Sequence, residues 1–233
     1  MATTGETEID DAKTWELLGL LFKPHPWHGV PVGDRAPEIV TSFIEIVPTD
    51  TVKYEIDKPS GHLKVDRPQQ FSNVCPTLYG FIPQTYCGDR VAELSRSKTA
   101  RGTVRGDGDP LDICILSEKS FSHGDILLRA CPIGGLRLID HDEADDKIIA
   151  VLVGDVAFGH YREIGDLPAA QIDRLRHYFL TYKRPPGEDD QEVEITHVYG
   201  RNEAYEVIER SREDYQARFP EIRERFLRAL RRE

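Results

Sequence analysis

The sequence predicts an α+β fold, on three observations. Between residues 38 and 153 apolar and β-branched residues recur mainly at two-residue spacing, the period of a strand. After Gly165 the spacing changes to three and four, the period of an amphipathic helix. No helical pattern is read between the strands, so strands come first and helices afterwards. Short strands in such succession suggest a closed barrel or a sandwich.

The elements follow in order. Residues 1–10 are small, polar and acidic and read as a disordered tail. Trp15, Leu18 and Phe22 then mark a short amphipathic helix over 11–22, and a loop carrying Pro24, Pro26, Pro31 and Pro37 leads to the first strand. In residues 39–47 alternation sets Thr41, Phe43 and Glu45 against Val40, Ser42, Ile44 and Ile46. Residues 52–56 place Val52, Tyr54 and Ile56 on one face and Lys53 and Glu55 on the other. Lys58-Pro59-Ser60-Gly61 supplies a turn, and residues 62–67 return. Further strands are predicted over 111–116, 125–131 and 147–153, the last apolar on both faces and therefore buried. Ile172, Leu175, Phe179 and Tyr182 form a helical stripe that ends before Pro185-Pro186-Gly187. A second helix is predicted from Asn202, read as its N-cap, and a third from Pro220 with Ile222, Phe226 and Leu230 on one face. This divides the chain into an N-terminal extension (1–37), one domain (38–219) and a C-terminal helix (220–233).

Composition narrows the function. The 233 residues carry a formal charge of −11, which disfavours general binding to nucleic acid or an anionic membrane. The apolar run at 148–153 is far shorter than the roughly 20 residues of a membrane helix. The N-terminus shows no basic segment followed by an apolar core, and Cys75, Cys87, Cys114 and Cys131 form no C-x-x-C pair. A cytoplasmic protein with reduced thiols is expected.

The sharpest motif is Asp107-Gly108-Asp109-Pro110-Leu111-Asp112. Glycine frees the backbone and proline fixes it, so three carboxylates can converge on a hard divalent cation. A solvated acidic turn is the plain alternative. An EF-hand is rejected: Glu118 matches the Glu its loop needs, but Asp112 stands where it needs Gly, and Pro110 and Leu111 stand where liganding and turn residues belong. A second acidic stretch, Asp140-His141-Asp142-Glu143-Ala144-Asp145-Asp146, reads on its own equally as a solvated loop, and Lys147 at its end tilts the reading towards an anion bound together with a metal. Lys53 and Glu55 share a strand face, Arg67 closes the return strand, and Tyr182-Lys183 ends a helix. His25-Pro26-Trp27-His28 has the spacing of a zinc half-site but no second ligand pair follows, so an ordered loop is expected.

Taken in order, Lys53-Tyr54-Glu55-Ile56, Ser60-Gly61, Val65-Asp66-Arg67, Tyr79-Gly80-Phe81-Ile82-Pro83, the Asp107 to Asp112 motif, the Asp140 to Lys147 stretch and Tyr182-Lys183 resemble the family I soluble inorganic pyrophosphatases. The resemblance implies a five-stranded OB-like closed barrel flanked by helices, and Mg²⁺-dependent hydrolysis of pyrophosphate to two phosphates by a metal-bridged water. It implies several Mg²⁺ ions per site, with Mn²⁺ or other divalent ions able to substitute. Asp107, Asp112 and Asp145 match direct metal ligands and Asp140 a ligand of a further metal. Asp109 matches the carboxylate that takes the proton of the attacking water. Lys53, Arg67, Tyr79, Lys147, Tyr182 and Lys183 match the phosphate-binding set, and Glu45 and Glu55 line the cavity. The partners implied are pyrophosphate, phosphate and further copies of the chain.

Three departures from the family pattern stand out. Cys75-Pro76 begins where an aromatic hydroxyl is usual, and His141 stands where Glu is common. Residues 87–106 are an insertion relative to short bacterial members, read as a mobile loop whose Arg90, Arg96, Lys98, Arg101 and Arg105 steer the anion to the site. The rival readings are a catalytically silent OB-fold binding module, which would be expected to have lost part of this polar set, and a nucleotide phosphohydrolase, which would need a base pocket.

Overall fold

The computed structural model describes residues 23–183 and 193–220. The tail and helix expected within residues 1–22, and nearly all of the helix expected over 220–233, lie outside the described residues. The strands are β1 (Val40–Ile46), β2 (Val52–Ile56), β3 (Leu63–Pro68), β4 (Leu78–Phe81), β5 (Arg105–Gly106), β6 (Asp112–Leu116), β7 (Ile126–Asp140), β8 (Glu143–Ala144), β9 (Lys147–Leu152) and β10 (Val193–Gly200). The helices are α1 (Asp89–Thr99), α2 (Ala169–Thr181) and α3 (Arg201–Arg218).

β1 pairs antiparallel with β4, β4 with β6, β6 runs parallel to β9, and β9 pairs antiparallel with β7. The first half of β7 then returns to β1, with Val40 opposite Ala130, so these five strands form a ring. β7 continues well past the expected end at residue 131. Its far half carries β10 on one edge and the short β8 and β5 beyond the other. β10 crosses so close that a side chain at Gly135 would meet the Tyr199 ring at 2.4 Å. β2 and β3 form a separate hairpin.

The expectation that residues 147–153 form a strand buried on both faces holds for Ile148–Val151, whereas the strand ends at Leu152 and Val153 is exposed; the packing explains the buried part. Ile113, Ile148 and Ala150 join Ile44 of β1, Val91 and Leu94 of α1, and Val207 and Ile208 of α3 in one core cluster. Their neighbours Cys114, Ile149 and Val151 join Leu175, Tyr178 and Phe179 of α2 in another. Two-residue alternation thus serves two cores at once. Ile46 departs from its expected face: a register shift after Ile44 turns it into the second cluster, away from Val40 and Ile44.

Two further expectations are corrected. A helix does stand between strands: 89–99, inside the segment read as a mobile loop, is α1, with Val91, Ala92, Leu94 and Ser95 buried. Its first turn is held from outside, the Asp214 carboxylate accepting the N–H groups of Gly88, Arg90 and Val91 at 3.0 to 3.1 Å. That remote acceptor replaces a local cap, which is why no capping residue marks the helix in the sequence. The helix expected to begin at an Asn202 cap begins at Arg201 after Gly200, and its first N–H is accepted by Glu163 at 3.0 Å. The four cysteines are free, with Cys75, Cys87 and Cys114 buried.

Candidate active site

The acidic motif folds into a turn that its own residues hold. Gly108 sits at φ +78°, a conformation open to glycine, and the Asp109 N–H donates to Asp107 Oδ1 at 2.9 Å. Leu111 is buried, and β6 starts at Asp112 with Lys147 as its Cα partner across the parallel β6–β9 pairing. The two acidic stretches, about thirty residues apart in sequence, therefore meet at the ends of neighbouring strands.

They open on a cavity of about 370 Å³ lined by Glu45, Lys53, Glu55, Tyr79, Asp107, Asp109, Asp112 and Asp145 among others. Eight of the expected site residues are thus brought to one cavity. Lys147 reaches the same carboxylates from behind, donating to Asp112 and, at 2.5 Å, to Asp145. Tyr79 donates its hydroxyl to Asp112 at 2.5 Å. Lys53 donates to Glu55 at 3.2 Å and to Asp66 at 2.7 Å, as the shared strand face predicted for Lys53 and Glu55 requires. Arg67 joins through Asp66 at 2.8 Å.

Tyr182, Lys183 and Asp140 do not line the cavity but form an adjoining group. Arg67 lies 5.7 Å from the Tyr182 ring centroid, Lys183 donates to Asp140, and His141 Nδ1 is 2.7 Å from Asp140 Oδ1. The Phe179 ring bridges the two groups, 6.1 Å from Tyr79 and 6.0 Å from Tyr182.

Charge in the cavity is out of balance. Burial raises Asp107 well above the usual carboxylate range, and the Asp145 carboxylate raises it further. Burial also raises Asp112, against the pull of Lys147. Glu45 is pushed up to about 8 by burial and then by Asp112, although it accepts the Ile56 N–H at 2.7 Å. Burial disfavours the Lys147 ammonium, but Asp112 and Asp145 outweigh it and hold its pKa well above the ordinary lysine value. Asp140 is lowered: burial opposes its charge, and Lys183 and His141 more than offset that.

Sequence reasoning gave no role to Lys58, Lys64 or Asp66, although Asp66 stands in the Val65-Asp66-Arg67 motif. Lys58 pairs with Asp109, and Lys64 with Glu55 at 3.1 Å. Lys58 lies in what read as a plain turn; the hairpin pairing, which sets Lys64 opposite Glu55, was the available signal. Of the departures, Cys75 is fully buried, its thiol pushed up to about 11 by burial. The basic residues of 87–106 line no part of the cavity: Arg90 pairs with Glu213 and Asp214, Lys98 with Glu203, Arg101 with Glu194, Arg105 with Glu143, and Arg96 donates to the Val104 carbonyl. The steering role is not supported by that arrangement. Trp27 donates Nε1–H to the Thr85 carbonyl at 2.7 Å, and His28 meets the Tyr215 hydroxyl at 2.8 Å, so this segment is the ordered loop expected.

Among the described residues no three acidic, imidazole or thiol groups already stand close enough together to hold a metal. Lysine ammonium groups occupy the carboxylates instead. Such a surplus of hard oxygen donors, with cations beside it, suits a polyanionic phosphate bound together with divalent ions.

Comparison with known proteins agrees with this chemistry. A family model described as inorganic pyrophosphatase matches residues 42–216. An inorganic pyrophosphatase of Chlamydia trachomatis serovar L2 is 51% identical over 195 residues, covering 82% of this chain and 93% of that protein. Soluble inorganic pyrophosphatase 1 of Arabidopsis thaliana is 36% identical, covering 82% and 80%. The crystal structure of the Thermus thermophilus inorganic pyrophosphatase superposes with a TM-score of 0.67 at 31% identity, covering 80% of this chain and 97% of that one. The chain belongs to the inorganic pyrophosphatase family of hydrolases.

Proposed function

We propose that this chain hydrolyses inorganic pyrophosphate to two phosphates with Mg²⁺, in the cavity between the β2–β3 hairpin and the ends of β6 and β9. The observation that carries the reading is the mixed lining: Asp107, Asp109, Asp112 and Asp145 face Lys53, Lys58 and Lys64 in one cavity. Ammonium groups alone would hold the anion without cleaving it, and carboxylates alone would repel it.

The donor set fits a hard cation. Burial, and then the Asp145 carboxylate, disfavours negative charge on Asp107, a cost that a bound divalent ion would offset. Asp107, Asp112 and Asp145 would hold such ions, with Asp140 as a ligand of a further one and Mn²⁺ able to substitute. When bound, the metal supplies charge against the phosphoryl oxygens and lowers the pKa of a water. Asp109 takes the proton of the water that attacks phosphorus in line, its carboxylate being half exposed at the cavity and anchored by Lys58. Lys53, Arg67, Tyr79 and Lys147 hold phosphate oxygens, and Arg67, Tyr182 and Lys183 offset charge on the departing phosphate. Glu45 and Glu55 line the wall, Glu55 keeping Lys53 and Lys64 oriented.

The same reading takes the ring of five strands as an OB-like closed barrel and residues 38–219 as the catalytic domain, with 1–37 and 220–233 as extensions. It takes the protein as a cytoplasmic homo-oligomer; no helix among the described residues is long and apolar enough to cross a membrane. The test is phosphate release with Mg²⁺ from pyrophosphate and, in parallel, from ATP. Release from pyrophosphate, with ATP a poor substrate, is expected; release from ATP alone overturns the reading.

A further inference from the structure

Behind the cavity wall lies a buried ion pair that none of the roles above uses. Arg137 on β7 is fully buried, and its Nε–H donates to Asp146 Oδ1 at 3.1 Å, Asp146 being 2% exposed. The guanidinium also meets Glu203 of α3 at 3.2 Å and packs 5.1 Å from the Tyr199 ring centroid on β10. Glu203 is tied in turn to His197 at 3.4 Å and to Lys98 at 3.3 Å. Burying two charges in this way stabilises a fold little or not at all relative to apolar side chains of the same size. A stabilising role is therefore a poor reason for the pair to be there.

Its place in the chain supplies a better one. Asp145 and Asp146 belong to neither β8 nor β9: the ladder breaks between Ala144 and Lys147. At this break the backbone is held by the Asp145 N–H on the Leu138 carbonyl at 3.1 Å. Side chains alternate, so Asp145 faces the cavity and Lys147 reaches Asp145 and Asp112 from behind it, while Asp146 turns the other way to Arg137. The Asp146 carboxylate on Arg137 thus anchors from the core side the stretch that carries two site residues.

We infer that Arg137 and Asp146 are positioning residues, whose pairing fixes the strand break so that Asp145 and Lys147 meet Asp112 at the cavity. The inference rests on the proposed role of Asp145 as a metal ligand. It is tested on the full-length protein by two measurements, melting temperature and calorimetric binding of Mn²⁺ to the metal-free protein. The double variant Arg137→Met/Asp146→Leu removes both buried charges together and is expected to melt near the wild-type temperature. Its Mn²⁺ binding is expected to be weaker by about 10- to 100-fold, the usual effect of losing an outer-shell partner of a metal ligand. Asp146→Asn keeps the volume and an acceptor for Nε, and is expected to weaken Mn²⁺ binding by about tenfold; it decides the matter if the double variant does not fold. Wild-type Mn²⁺ affinity in the folded double variant, or in Asp146→Asn where only that folds, overturns the inference. Asp145→Asn separates the two levels: wild-type Mn²⁺ binding there means the metal role of Asp145 itself fails, whereas loss there with retention in the pair variants means that only the positioning role fails.

Discussion

The stretch Asp145-Asp146-Lys147 faces two environments that treat charge in opposite ways. On the core side the buried Arg137 guanidinium pairs with Asp146 and with Glu203, so its charge is held between two fixed carboxylates. On the cavity side Lys147 is shared by Asp112 and Asp145, while Asp107 and Asp109 add negative charge beside them. Buried charges that are matched specify position; charges left in excess at a cavity specify a ligand that completes them. Asp145 and Asp146 are adjacent in sequence and read there as parts of one acidic stretch.

That contrast can be broken from either side. Removing divalent ions with a chelator is expected to abolish phosphate release from pyrophosphate, with full recovery on adding Mg²⁺, since the cavity acids then lack their counter-charge. Lys147→Met, similar in length but uncharged, is expected to lower kcat/KM by about 10²- to 10³-fold, the scale for losing one positioned donor. Arg137→Met strands the Asp146 carboxylate in the core and is expected to destabilise by about 3–5 kcal/mol in a denaturant titration, a cost that falls on folding before chemistry. The smallest effect lies away from both regions. Burial holds His28 down to about 4, against 6.5 when unfolded, so the unfolded chain takes up a proton that the native protein refuses. Stability is therefore expected to fall as pH drops from about 6.5 towards 4, and His28→Gln is expected to flatten that slope in thermal melts taken across the range.

How far the sequence reveals this molecule depends on whether a partner is local. Lys53 and Glu55 are two residues apart on one strand, and their shared face followed from period two. The Asp107–Asp112 turn likewise carries its own glycine and proline. By contrast α1 is capped by Asp214, α3 by Glu163, and Asp109 is held by Lys58, all from distant parts of the chain. No local spacing encodes those contacts, so α1 read as a loop and Lys58 as a turn residue. β10 was missed for a related reason: it exists by pairing with the far half of β7, which the sequence showed only as far as residue 131. Asp146 was legible as an acid but not as a core residue, because its buried partner Arg137 was read as part of no motif.

The central claim, that the cavity acids divide between holding metal and moving a proton, is tested most directly by Asp109→Asn. Its turnover of pyrophosphate is measured across an Mg²⁺ titration beside the wild type. The account predicts half-activation at nearly the same Mg²⁺ concentration with turnover lowered by about 10²- to 10⁴-fold, the range for losing a general base. Unchanged turnover would contradict it.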